Sequence, residues 1–233
     1  MAYERLESEH VVHTVERLEE RIAARFPDRH LVRLAGELGR LISESAGTNE
    51  RLLRRLAWTR ALSRMLAVVV VAVAVVVFVW AIHSGGGKNL DGPTWLETVN
   101  NGINDLVFAA IAVFFLYSIP ERLMRSRALR TLHRLRSLAH IIDMHQLVKD
   151  PERLRDGYVR TSASVDMDLG PEELVIYLEY CSELLSLVGK SAALCAEDSQ
   201  DAVVLDTTSD IESLTVNLSR KIWQKISAVN EIR

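Results

Sequence analysis

The signatures that usually announce an enzyme are missing from this chain of 233 residues. It has no Gly-x-Ser-x-Gly elbow, no Walker loop, no Rossmann glycine pattern and no zinc-binding quartet, so no catalytic residue, cofactor or metal is expected. The run Gly85–Lys88 looks briefly like a phosphate loop, but Ile82 stands where its first glycine belongs and Asn89 replaces the Ser or Thr. It reads as a flexible turn. Cysteine is scarce too: Cys181 and Cys195 lie 14 residues apart on one predicted helix, about 21 Å along its axis, which excludes a disulfide and leaves buried packing. His10 and His13, at i and i+3, have no third ligand nearby and read as solvent-facing.

A second kind of absence sets the class. Met65–Ile82 runs for eighteen residues without a charge, a hydroxyl or an amide, as a lipid-facing helix requires. It lies too far from the amino terminus for a cleaved secretory signal and reads as an uncleaved anchor. Between this run and the next apolar one, His83–Gly102 holds a single Lys/Arg, Lys88, whereas Arg51, Arg54, Arg55, Arg60 and Arg64 precede the first run and Arg122, Arg125, Arg127 and Arg130 follow the second. By the positive-inside rule both termini are cytoplasmic and the connection is outside. The arginine-rich, valine-rich and alanine-rich composition points to a bacterial inner membrane. The expected fold is therefore an all-α membrane protein. Its parts are N-terminal cytoplasmic helices (1–56), transmembrane helix 1 (57–83), an extracytoplasmic loop (84–93), transmembrane helix 2 (94–119) and a C-terminal cytoplasmic helical domain (120–233).

The second span carries the functional expectation. Thr94–Ile119 includes Glu97, Asn100, Asn101, Asn104 and Asp105, and polar side chains at membrane depth must face protein or water. The depth follows from the aromatics: Trp95 and Tyr117 lie 22 residues apart, about 33 Å along a helix, as do Trp58 and Trp80 around the first span. At about 100° per residue, the five polar residues and Phe108, Ile111, Ala112 and Phe115 all fall within about 80° of Glu97. The polar stripe reads as a pore lining, and Phe108, Ile111 and Phe115 below it as an apolar gate that closes by dewetting. The competing expectation is a wet loop that Asn101 or Asn104 caps before a short, tilted helix. Ser118-Ile119-Pro120-Glu121 fits a capping box with proline in the first turn, making Pro120 a candidate hinge where the span ends and a new helix starts.

Outside the spans, the apolar spacing predicts helices. Val11, Val15, Leu18 and Ile22 mark the first, broken at Phe26-Pro27-Asp28, and Leu31, Leu34, Leu38, Leu41 and Ile42 mark a second, capped by Asp28 and ended by Gly47. From Asn49 an arginine-studded helix runs into the first span, its arginines forming a collar at the headgroups rather than a nucleic-acid site. Glu121–Lys149 carries Leu123, Leu129, Leu132, Leu135, Leu138, Ile141, Ile142 and Leu147, and His133, His140, Asp143 and His145 as its one dense ligand cluster. For that cluster the expectation is packed or hydrated histidines, with Asp143 paired to an arginine, and the alternative is a metal or proton-sensing site between subunits. Two last helices, opened by Gly170-Pro171-Glu172-Glu173 and joined by the polar stretch Asp198–Ser209, form an antiparallel hairpin. Glu121–Arg160 holds ten Lys/Arg against five Asp/Glu, and Thr161–Arg233 five against thirteen, so the basic part suits the membrane surface.

Gly102-Ile103-Asn104 resembles the Gly-Ile-Asn tripeptide of CorA-type divalent-cation transporters, likewise beside the outer end of a two-span hairpin. In that family the tripeptide closes the first span, whereas here it enters the second, so no substrate is carried over. Two helices cannot enclose a water path, so the stripe implies a cyclic homo-oligomer of about four to six copies. The expected function is a mildly cation-favouring ion channel with itself, membrane lipids and inorganic ions as partners. The alternative is a membrane-anchored scaffold or sensor whose cytoplasmic bundle binds proteins.

Overall fold

The structure is a computed structural model that describes the backbone of residues 6–85, 92–162, 164, 168–197 and 199–232. Side chains at 46–60 and 92–99, and at 63, 74, 77, 78, 80–82, 84, 85, 101, 103, 105, 106, 116, 117 and 120, lie outside the described residues. Among the described residues there is no strand. The elements are α1 (Ser8–Arg25), α2 (His30–Gly85), α3 (Gly92–Leu147), a short 3-10 helix (Pro151–Leu154), α4 (Pro171–Ala196) and α5 (Ala202–Ile232). The chain divides into two compact units, one of Met1–Thr48 with Arg127–Arg233 and one of Asn49–Ser126.

The first unit is a helical bundle built on the predicted stripes. Val11, Val15, Leu18 and Ile22 of α1 are all buried, and so are Leu31, Leu38, Leu41 and Ile42 of α2. From α3 come Leu132, Leu135, Leu138 and Ile142, while Leu123, Ile141 and Leu147, expected on the same stripe, are exposed. Leu174, Leu178, Leu184 and Leu185 of α4 and Ile211, Leu218, Ile222 and Val229 of α5 complete the core. Phe26, at the break after α1, sits edge-on to both Tyr177 and Tyr180 at 5.7 and 6.2 Å, so the residue that ends α1 also ties it to α4. At Gly189 α4 approaches α5 closely: a Cβ there would lie 2.9 Å from Thr215 Oγ1. Burying each of these large side chains is worth about 1.5–3 kcal/mol against conformational entropy of similar total size.

Several boundaries differ from the sequence expectation. Gly47 does not end a helix, because α2 continues through it to Gly85. A mid-helix glycine costs only about 1 kcal/mol, too little to stop a helix held on both sides. Asp28 is not the cap of α2, which starts at His30. Pro120 does not open a new helix either: the backbone is helical through it from Gly92 to Leu147. The Ser118 hydroxyl donates to the Phe115 carbonyl at 2.9 Å instead of capping a following turn. The stretch expected to link the last two helices is mostly helix. Asp201 accepts from the backbone N–H groups of Val203 and Val204 and caps α5, and Thr207 and Thr208 donate back to Val203 and Val204. At α4, Gly170 N–H donates to Glu173, the half of a capping box that a glycine can make.

The second unit has the opposite burial. Val68, Val71, Val73, Val75, Val76 and Val79 of α2 are exposed, as are Val107, Phe108, Ile111, Phe114, Phe115 and Ile119 of α3. Ala67, Val70, Gly102, Ala109, Ala112 and Val113 are half-buried. Among the described residues, no helix is long and apolar enough to cross a membrane. Ala74, Val77, Phe78, Trp80, Ala81 and Ile82 of the eighteen-residue run, and Thr94–Val99 of the second, have side chains outside the described residues.

Candidate pore-lining site

The predicted stripe lies on one continuous helix. Because α3 begins at Gly92, the backbone across Glu97–Asp105 is helical, and the expected wet loop capped by Asn101 or Asn104 is not formed. Asn100 and Asn104 are exposed, and one turn further on so are Phe108 at 69 %, Ile111 at 47 % and Phe115 at 55 %. Ala112, at the edge of the same face, is half-buried. The side chains of Glu97, Asn101, Asp105 and Pro120 lie outside the described residues.

Phe114 is a neighbour that the face-by-face reading missed. Its ring meets Phe115 edge-on at 6.3 Å, with the planes 80° apart, and it is itself exposed. Adjacent residues point about 100° apart on a helix, so only the length of two aromatic side chains lets them touch. Such a contact orients the Phe115 ring. Proline has no N–H, so at Pro120 the carbonyl four residues back, that of Leu116, loses its helical donor just beyond this pair.

The histidine cluster on α3 does not assemble. His133 and His140 are exposed, and Asp143 accepts from the Gln146 side chain at 2.6 Å rather than pairing with an arginine. No group of three or more His, Cys, Asp or Glu side chains among the described residues could hold a metal. His145 instead stacks on His30 from the start of α2, with ring centroids 5.2 Å apart and planes 23° apart. Burial, and then the neighbouring His30, Arg33 and Lys149, hold the His145 pKa below its ordinary value of 6.5. Arg33 also meets His30 at its Nδ1.

The same end of α3 receives a cation from α5. Lys225 donates to the carbonyls of Gln146 and Lys149 at 2.7 and 3.2 Å. It thus gives the Gln146 carbonyl near the end of α3 a second donor, beside the Lys149 N–H, and holds the Lys149 carbonyl just beyond that helix. Lys149 is buried over the Tyr177 ring at 5.8 Å, and burial lowers its pKa. Cys181 and Cys195 are both free thiols, pushed up to about 12 and about 11 by burial, so neither offers a thiolate near neutrality.

On the outer side of the α4–α5 pair a groove of about 550 Å³ is floored by Ser182, Ser186 and Gly189 and bounded by Val216, Ser219 and Trp223. Val216 and Trp223 are both more than half exposed. Comparison with protein-family models, with curated proteins and with solved structures finds no match to this chain.

Proposed function

We propose that the chain is a two-span protein of the bacterial inner membrane that assembles as a cyclic homo-oligomer around a mildly cation-favouring pore. The observation that carries this reading is the exposed face of α3 on which Asn100 and Asn104 lead into Phe108, Ile111 and Phe115. The apolar half of that face, like the valine-rich surface of α2, is exposed, and contiguous exposed apolar surface marks a membrane or interaction site. Its polar half would be costly against lipid. A ring of copies resolves both demands. The second span then lines the axis and the first faces lipid.

In that arrangement Glu97 and Asp105 supply negative rings at the outer entrance, and Asn100, Asn101 and Asn104 replace part of an ion's hydration. Phe108, Ile111 and Phe115 close the path by dewetting. Pro120 is the flexible point, since a helix missing one ladder bond bends there most easily. Ions, lipids and further copies of the chain are the partners, and no nucleic acid is involved. Phe115→Ala raises leak current in planar bilayers and Asp105→Asn changes cation preference. Unchanged currents in both variants remove the pore.

A second reading has its own observation. The groove between α4 and α5, with Val216 and Trp223 exposed beside it, suits a membrane-anchored scaffold or sensor whose bundle receives a protein segment. Replacing residues 57–119 with an unrelated two-span hairpin preserves the activity of a scaffold and abolishes that of a channel.

A further inference from the structure

Five of the six arginines of α3 fall into two groups that sequence alone does not separate. Arg134 pairs with Glu37 and Glu44 at 3.0 and 3.3 Å, and Arg136 with Asp210 at 3.4 Å, so both are committed to carboxylates of their own bundle. Earlier on the same helix, Arg122, Arg127 and Arg130 are exposed and make no ion pair among the described residues. Arg64 of α2 is in the same condition.

The chain offers these side chains little counter-charge. Between Asp105 and Asp143 the only carboxylate is Glu121, and from Arg51 to Leu90 there is none. The unpaired group also begins where exposed apolar surface ends: Ile119 and Leu123, 47 % and 44 % exposed, flank Arg122. From Arg122 to Arg130 the helix advances about 12 Å. All the strongly basic residues in these two stretches are arginine except Lys88 in the connection, and arginine's planar fork grips phosphate oxygens two at a time. An acidic surface of a second copy would satisfy the charge but not the apolar side chains placed directly beside it.

We infer that the Arg122–Arg130 stretch of α3 binds the headgroups of anionic phospholipids, with Arg64 of α2 making the same kind of contact. The proposal rests on the reading that the exposed apolar segments lie in a membrane. The preference is for net anionic lipid over zwitterionic lipid, because Arg122, Arg127 and Arg130 follow one another on one helix with Glu121 as the one carboxylate near them in sequence, and such cations are drawn to an anionic surface.

The test uses the full chain reconstituted into phosphatidylcholine vesicles with and without phosphatidylglycerol. Retention after an alkaline wash reads membrane integration. The association of spin-labelled phosphatidylglycerol relative to spin-labelled phosphatidylcholine reads the headgroup preference. The wild-type chain is retained in both vesicle types and prefers the anionic label roughly threefold to tenfold. The triple variant R122Q/R127Q/R130Q is retained equally but loses most of that preference, whereas R136Q keeps it. Equal association of the two labels with a retained wild-type chain overturns the headgroup proposal alone. A triple variant that changes oligomeric state while keeping the preference overturns it too and assigns the arginines to a second copy. Loss of the chain from both vesicle types removes the membrane reading on which the proposal rests.

Discussion

The two units of this protein use the same apolar residue types in opposite ways. In the bundle Val15, Leu132 and Ile211 expose nothing, whereas in the other unit Val68, Val76 and Phe108 are 68, 66 and 69 % exposed. Composition does not explain the difference; periodicity does. The bundle helices carry apolar stripes with polar residues behind them, so each stripe finds another stripe and water keeps the rest. Met65–Ile82 is apolar all the way round and has no side to offer water. The charges differ in a similar way: in the bundle Arg21 meets Glu183 at 2.9 and 3.2 Å, while Arg64, Arg122, Arg127 and Arg130 make no ion pair among the described residues.

The comparison can be broken most directly by truncation. Leu178 is fully buried between the helices of the bundle, and Leu178→Ala lowers its stability to chemical denaturation by about 2–5 kcal/mol. Val76→Ala leaves that same transition within about 0.5 kcal/mol of wild type. Equal losses from the two substitutions would mean that the exposed segment is packed as part of the same core.

A smaller effect sharpens the account of the bundle itself. At Gly189 an added methyl meets Thr215 Oγ1 at 2.9 Å, and Thr215 is held by its bond to the Glu212 carbonyl, also at 2.9 Å. Alanine gains about 1 kcal/mol of helix propensity but must displace that hydroxyl, which costs roughly 1–3 kcal/mol. Gly189→Ala therefore destabilises in the wild-type background and stabilises once Thr215 is alanine. The same sign in both backgrounds, in a double-mutant cycle, would show that the close approach does not set the choice of glycine.

The smallest effect is the pH dependence of the His30–His145 contact. The folded pKa of His145 lies below its unfolded value, so the unfolded chain binds more protons as the medium becomes acidic. Its contribution is complete above about 6.5 and is lost as pH falls through that value toward the folded pKa. The denaturation midpoint of the bundle accordingly drops between neutral and mildly acidic pH, and His145→Phe, which keeps a stacked ring without a proton site, flattens the drop. An unchanged slope in that variant assigns the acid sensitivity to other groups.

Much of the bundle was legible in the sequence because its stripes are strict. The four buried residues of α1, and Leu31, Leu38, Leu41 and Ile42 of α2, are all read from spacing alone. Helix boundaries were less legible. Gly47 and Pro120 are each plausible stops worth about one to three kcal/mol locally, and in two long helices those costs are outweighed, while α2 starts at His30 rather than directly after Asp28. For the candidate site, spacing identified which residues share a face of α3. It missed Phe114, whose contact with Phe115 runs against the helical neighbour rule.

What the sequence determines by itself is whatever repeats locally: helical stripes, two runs without charge, and arginines crowded at their borders. These follow from a helix's 3.6-residue turn and from the cost of putting charge or unpaired backbone in an apolar medium. Tertiary structure decides the pairings between residues far apart in the chain, such as Lys225 on the carbonyls of Gln146 and Lys149, His30 on His145, and Arg134 on Glu37 and Glu44. Those contacts form only once the core has fixed which helix lies beside which, and no local pattern of charges or rings specifies that neighbour.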